Sequence, residues 1–191
     1  MIFSLDDTQC IATPSKCGST ALEHALKDHY YISPRHRVDY WRIKERVLVI
    51  RHPLVRYYSA FWHLSQSKGA WGYMADGDDF FGMLHDAVGT YDGPWIGAHT
   101  DHRMWTMTFM QMVESFAPHR ICRLEDGLEH VAGVPVKQRW PSGDPKRQRT
   151  ARRPIELCRS AYDWLMEYTR KDRDMWYERE QVDVSSLFRI G

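Results

Sequence analysis

Cysteine is scarce in this chain, and the positions of its cysteines form no metal-binding or disulfide pattern. The 191 residues contain four cysteines, of which no pair has C-x-x-C or Cys/His ligand spacing: Cys10, Cys17, Cys122 and Cys158. The sequence therefore indicates neither a zinc site nor a disulfide framework, and it fits a reducing compartment. An uncharged apolar run of about 18 residues is also missing, so no transmembrane helix is predicted. The N-terminus, MIFSLDDTQC, lacks the basic region and apolar core of a secretory signal.

A strong net charge of one sign is missing as well. The chain has 26 Lys and Arg against 25 Asp and Glu, which gives +1 at pH 7. Since nonspecific binding to nucleic acid relies on a large positive charge, we expect no nucleic-acid partner. The length is typical of one domain with its own hydrophobic core, and we predict a single domain over residues 1–191.

The segment from Ile11 to Thr20, IATPSKCGST, has the pattern of a strand, a loop and the start of a helix. Gly18 allows the backbone to turn where a β-carbon would obstruct a ligand. Ser19 begins the helix, so unpaired backbone N–H groups, the positive end of the helix dipole and two hydroxyls meet at one point. Lys16 adds a cation. Such a loop can hold an anion, although a plain N-cap has the same composition.

The order of residues in this loop differs from that of the common nucleotide-binding loop. The mononucleotide P-loop reads GxxxxGK[ST], with the lysine directly before the hydroxyl residue. Here Lys16 precedes Gly18, and no glycine stands five positions upstream. An ATP or GTP site is therefore disfavoured. A P-loop kinase stays an alternative. It is weakened further because no evident Mg²⁺-binding Asp follows a strand.

A second candidate phosphate-binding segment follows a strongly apolar run. The continuous VLVI of Val47 to Ile50 predicts a strand buried on both faces, as in a parallel sheet. Arg51 comes directly after it and offers a guanidinium fork for a phosphate. Ser59 follows eight residues later and returns to the same side after about two helical turns.

Together the two segments resemble the sulfotransferases that use 3′-phosphoadenosine 5′-phosphosulfate (PAPS). That family has a P-K-x-G-[ST]-[ST] loop for the 5′-phosphosulfate, which PSKCGST from Pro14 to Thr20 matches with one inserted residue. Its R-[DH]-P-x-x-R-x-x-S motif for the 3′-phosphate matches RHPLVRYYS from Arg51 to Ser59, with His in a position that is often Asp. The segment ICRLED from Ile121 to Asp126 is similar to the family's strand and Glu-Asp-Leu segment, and the late helix from Ala161 to Tyr177 is similar to that of the carbohydrate branch. The likeness covers most of residues 8–177.

The resemblance implies a cofactor site and a catalytic pair. The residues it assigns to PAPS binding are Ser15, Lys16, Cys17, Gly18, Ser19, Thr20, Arg51, Ser59, Lys146 and Arg149. Lys16 would stabilise the charge that develops on the bridging oxygen of the leaving group. His36 is the predicted base for the acceptor hydroxyl, since a base works best with a pKa near the operating pH; Asp39 and His24 are the second and third choices. No metal is expected, because a sulfuryl group carries less charge than a phosphoryl group.

The predicted function is transfer of a sulfuryl group from PAPS to an acceptor hydroxyl of a carbohydrate. A non-catalytic protein that binds adenosine bisphosphate is a further alternative. We predict a single-domain, three-layer α/β fold with a central parallel sheet and a P-loop-like loop at the carboxyl ends of its strands. Since Golgi relatives have a membrane anchor and this chain shows none, we expect a cytoplasmic protein. The predicted strands span 8–13, 46–50 and 120–123, and the predicted helices span 19–29, 54–67, 80–88, 103–115, 127–131 and 155–177.

Overall fold

The chain is a mixed α/β protein that divides into two compact units. A computed structural model describes residues 1–32, 39–65, 76–90, 105–127, 129–132, 153–177 and 182–191. The first unit, called the sheet unit below, comprises residues 1–51, 93–100 and 109–142. The second, called the helical unit, comprises residues 52–92, 101–108 and 143–191. That residues 1–191 act as a single domain stays a prediction.

The sheet unit is built on five strands in the order β3-β1-β2-β4-β5. Their bounds are β1 Ile2–Ser4, β2 Gln9–Ala12, β3 Tyr30–Ile32, β4 Glu45–Ile50 and β5 Arg120–Arg123. The strands β2, β4 and β5 are mutually parallel, as predicted. The prediction of a parallel sheet is wrong for β1, which pairs antiparallel with both β2 and β3. Only four residues join β1 to β2, and a connection that short permits an antiparallel hairpin but not a parallel pair.

The strand β4 lies at the centre of the hydrophobic core. Its residues Val47, Leu48, Val49 and Ile50 are all fully buried, which confirms a strand covered on both faces. Helix α1 (Ser19–Leu26) buries Leu22 and Leu26 in the same cluster as Val47 and Val49. This packing holds the start of α1 against the parallel part of the sheet.

Two further helices belong to the sheet unit. Helix α4 (Phe109–Phe116) buries Phe109, Met112 and Phe116, the spacing of one helical face. It begins six residues later than predicted, since Thr106 and Thr108 precede it and β-branched residues favour helix poorly. The short helix α5 (Glu129–Ala132) follows β5.

The helical unit contains four helices and a small parallel sheet within its described residues. The helices are α2 (Pro53–Ser65), α3 (Gly77–Ala87), α6 (Arg159–Tyr168) and α7 (Arg170–Tyr177). The prediction of one helix over 155–177 is wrong, because β6 (Ile155–Leu157) pairs with β7 (Phe188–Ile190) and Thr169 separates α6 from α7. The partner of β6 lies far along the chain, so local periodicity does not reveal it. No helix in the described parts of the chain is long and apolar enough to cross a membrane.

Candidate functional site

The loop between β2 and α1 is a tight turn with unusual backbone angles. The N–H of Cys17 donates to the carbonyl of Pro14 at 3.0 Å and closes the turn. Lys16 has φ of +67°, a left-handed conformation that is uncommon for a residue with a β-carbon. Ser15 and Cys17 on either side of it are buried. The turn therefore presents Lys16, which is half-buried, between two anchored neighbours.

Gly18 fits this loop for two separate reasons. Its φ is +87°, which glycine adopts without the steric cost of a β-carbon. A β-carbon at this position would also lie 2.8 Å from Cδ1 of Leu124, the residue that follows β5. The close approach thus packs the loop against the residue that follows β5, a contact that the sequence motifs do not reveal.

The N-terminus of α1 presents backbone donors. Its first helical hydrogen bond runs from the Leu22 N–H to the Gly18 carbonyl, so the N–H groups of Ser19, Thr20 and Ala21 have no acceptor within the helix. Gly18 is the N-cap residue, no side chain caps the helix there, and its first turn contains no acidic residue. The two hydroxyl residues therefore lie inside the first turn rather than at the cap. This arrangement favours an anion.

Arg51 brings the first residue of the second candidate motif to the loop of the first. It follows the last residue of β4, and β4 runs parallel to β2, so both strands end at the same edge of the sheet. Its Nη1 donates to the carbonyl oxygen of Lys16 at 3.2 Å. The predicted residues Ser15 to Thr20 and Arg51 thus share one end of the sheet unit.

The rest of the second motif lies in the helical unit. Arg56 and Ser59 are buried in α2, and Nη1 of Arg56 donates to the carbonyl of Met107 at 3.3 Å. His52 precedes α2, and its ring packs edge-on against Tyr177 with 4.9 Å between centroids. Arg56 therefore has a structural role, since its buried guanidinium binds a backbone carbonyl of the same unit.

Burial strongly affects the ionisation of His52. Its side chain is 3% exposed, and this burial, together with the positive charge of Arg173, lowers the pKa of His52 to about 4. A charged imidazolium at this position would have to be desolvated next to another cation. His52 is therefore neutral at physiological pH.

Several predicted residues lie outside the described parts of the chain. They are the predicted base His36 and the two basic residues of the loop PSGDPKRQRTARRP, Lys146 and Arg149. The alternative bases are described: His24 is exposed on the last turn of α1, and Asp39 is half-buried before a 3-10 turn at Tyr40–Arg42. Which of these groups takes the acceptor proton stays a prediction.

A cleft of about 600 Å³ runs along β5 in the sheet unit. The side chains that line it include Arg123, which pairs with Asp126 at 2.5 Å, and Arg120, which bonds to the carbonyls of α5. Burial raises the pKa of Cys122 in this cleft, so its thiol stays protonated and is a poor nucleophile. The two arginines that line the cleft are therefore already paired, and the Cys122 thiol is not activated.

Comparisons with known proteins give no family assignment. No protein-family model, curated protein or solved structure matches the chain. Within the described residues, no group of three or more His, Cys, Asp or Glu side chains could hold a metal ion.

Proposed function

We propose that this protein is a PAPS-dependent sulfotransferase that modifies an acceptor hydroxyl, with carbohydrates as the first acceptor class to test. The observation that carries the proposal is the 3.2 Å hydrogen bond between Arg51 and the Lys16 carbonyl. Arg51, the first residue of the motif that resembles a 3′-phosphate receptor, contacts the loop that resembles a 5′-phosphosulfate receptor at one end of the sheet. We also propose that the fold is a three-layer α/β arrangement with a P-loop-like loop at the carboxyl ends of the parallel strands.

The described residues fit the cofactor by the chemistry of their donors. A 5′-phosphate group requires N–H donors and a cation, and the α1 terminus and Lys16 supply both. A 3′-phosphate requires a separate receptor, and a guanidinium binds phosphate through a planar fork. The loop lacks the residue order that an Mg²⁺-bound triphosphate needs. This donor set favours adenosine 3′,5′-bisphosphate over ATP.

Each residue would have a distinct part in an in-line transfer. PAPS supplies an activated sulfuryl group when it is bound. Lys16 would stabilise the negative charge that develops on the bridging oxygen as the sulfur–oxygen bond breaks, and this charge is larger in the transition state than in the ground state. The backbone N–H groups of Ser19 and Thr20 would orient the 5′-phosphate. The acceptor oxygen would form the new bond to sulfur and lose its proton to a base, for which His36 is the candidate.

The test combines binding and turnover. Adenosine 3′,5′-bisphosphate should raise the melting temperature far more than AMP or Mg·ATP at the same concentration, because only the first ligand engages a 3′-phosphate receptor. Labelled PAPS offered with a panel of glycans, phenols and lipids should then give a sulfated product. Equal thermal shifts from the bisphosphate and AMP would overturn the cofactor assignment. A selective shift without any transfer would instead indicate a non-catalytic binder of adenosine bisphosphate.

A further inference from the structure

The peptide group between Lys16 and Cys17 is held at both ends. Its carbonyl oxygen accepts a hydrogen bond from Nη1 of Arg51 at 3.2 Å, and its N–H donates to the carbonyl of Pro14 at 3.0 Å. A peptide unit is planar, so two opposed hydrogen bonds fix its orientation. The same peptide follows the left-handed backbone of Lys16, whose φ is +67°.

This arrangement determines where the loop presents its groups. The internal turn uses the Cys17 N–H, so the donors that face an anion are those of the first turn of α1. The direction of the Lys16 side chain follows from its φ and from the orientation of this peptide. A left-handed residue with a β-carbon persists only where its surroundings hold it, and Arg51 supplies one of the restraints.

We propose that Arg51 is a positioning residue for the phosphate loop in addition to being a phosphate ligand, so that the 3′-phosphate and 5′-phosphate subsites are energetically coupled. The inference rests on the proposed function, because it assigns the ligand as an adenosine bisphosphate. A guanidinium has five N–H donors, and the contact to Lys16 uses one. One side chain can therefore hold the loop and bind a phosphate at once.

The coupling has a direct physical consequence. A 3′-phosphate that fixes the guanidinium of Arg51 also fixes the Lys16 carbonyl, which lowers the entropic cost of ordering the loop around a 5′-phosphate. By thermodynamic linkage, a 5′-phosphate in the loop strengthens binding at Arg51 by the same factor. A residue that served only as a receptor for the 3′-phosphate would not affect a ligand that lacks this group.

The decisive experiment measures calorimetric dissociation constants for AMP and for adenosine 3′,5′-bisphosphate in the full chain and its variants. Arg51→Ala should weaken AMP binding by about tenfold, although AMP has no 3′-phosphate, and should weaken the bisphosphate by a larger factor. Arg51→Lys keeps a single donor cation but no fork. We expect it to restore AMP binding close to the wild-type value while the preference for the bisphosphate stays reduced.

Arg46→Ala is the matched control. Arg46 lies near the start of β4, the strand that Arg51 follows, and its guanidinium also donates to backbone carbonyls, those of Trp41 and Ala117. Its loss should leave the affinity ratio of the two ligands unchanged. Unaltered AMP binding in Arg51→Ala, with only the bisphosphate weakened, would overturn the coupling and leave the proposed function standing. A wild-type protein that binds both ligands equally would overturn the proposed function itself. If Arg51→Ala fails to fold, Arg51→Met takes its place, since it keeps the aliphatic stem and removes every donor, and the same two losses are expected and the same outcome would overturn the coupling.

Discussion

The side chain of Lys16 is proposed to stabilise the charge that develops in the transition state, while its backbone adopts a strained left-handed conformation. Lys16→Ala should lower turnover with labelled PAPS about 10²-fold or more and change the affinity for adenosine bisphosphate much less, because the charge matters most in the transition state. Lys27→Ala, which removes an exposed lysine at the other end of α1, is the control and should turn over normally. Normal turnover in a folded Lys16→Ala protein would remove Lys16 from the mechanism.

The strain can be separated from the charge with Lys16→Gly. Glycine adopts φ of +67° without the β-carbon penalty, and the variant keeps the carbonyl that Arg51 binds. In urea unfolding, we expect its free energy of unfolding to exceed that of Lys16→Ala by about 1 kcal/mol. Both variants should be equally inactive. A lower stability for the glycine variant would show that the β-carbon of residue 16 imposes no steric cost at this left-handed angle.

Gly18 illustrates how a motif glycine can serve packing. Gly18→Ala should destabilise the protein through its φ of +87° and through the clash with Leu124, together by about 2 kcal/mol or more. Gly89→Ala is the matched control, since Gly89 has φ of +75° and a β-carbon added there would meet open space. The free energy of unfolding, measured in urea, should fall less in this variant, and that smaller decrease measures the backbone cost alone. Equal losses would mean that Leu124 moves aside freely.

At the scale of elements, a chain of hydrogen bonds crosses the sheet at the amino-terminal ends of its parallel strands. Tyr30 donates to Gln9, Gln9 donates to Glu45 at 2.6 Å, and Arg120 donates to Glu45 at 3.0 Å and to the carbonyl of Val131. Burial alone would raise the pKa of Glu45, but the hydrogen bonds from Gln9 and Arg120 lower it. This network links β3, β2, β4, β5 and α5 at the end opposite to the candidate site.

Removing the central carboxylate should loosen this end of the sheet. Glu45→Ala leaves donors of Gln9 and Arg120 without their acceptor and should cost about 1 kcal/mol, a value kept low because the pair is partly exposed. Glu167→Ala, which breaks a fully exposed pair with Arg170, should cost less than Glu45→Ala. Urea unfolding of the two variants checks the difference. Amide exchange in β4 should rise only in the first variant.

At the scale of the whole molecule, His52 makes stability depend on pH. Its pKa is near 6.5 in the unfolded chain and is lowered to about 4 in the folded protein by burial and by Arg173. Between these values the unfolded state binds the extra proton, so stability is full above pH 6.5 and is lost as the pH falls toward 4. The expected slope is up to about 1.4 kcal/mol per pH unit.

Urea unfolding between pH 7.5 and 4 checks this dependence. His52→Gln, which cannot ionise, should have a flatter profile over that window than the wild type. His24→Gln changes an exposed histidine on α1 and should keep the wild-type profile. Parallel profiles for wild type and His52→Gln would show that His52 contributes nothing to the acid sensitivity.

Short-range patterns predicted the parts of the fold whose signals are local. The VLVI run predicted β4 because a strand covered on both faces is apolar throughout, and the order strand, loop, glycine, helix predicted β2, the turn and α1. The same reasoning failed at β6, where Ile155 and Leu157 alternate with an exposed Glu156 next to a helix. An alternation of three residues is too short to separate a strand from a helical turn.

The sequence by itself determined the strand, turn and helix that bring together the candidate anion-binding groups, which are Lys16, the start of α1 and Arg51. Only the tertiary structure decided that Arg51 contacts the Lys16 carbonyl, that Leu124 leaves no room for a β-carbon at Gly18, and that β1 runs antiparallel in the sheet. The physical reason is that composition and periodicity report how far each residue prefers burial or a given backbone angle. The partner that satisfies this preference lies elsewhere along the chain, and strand pairing and register select it.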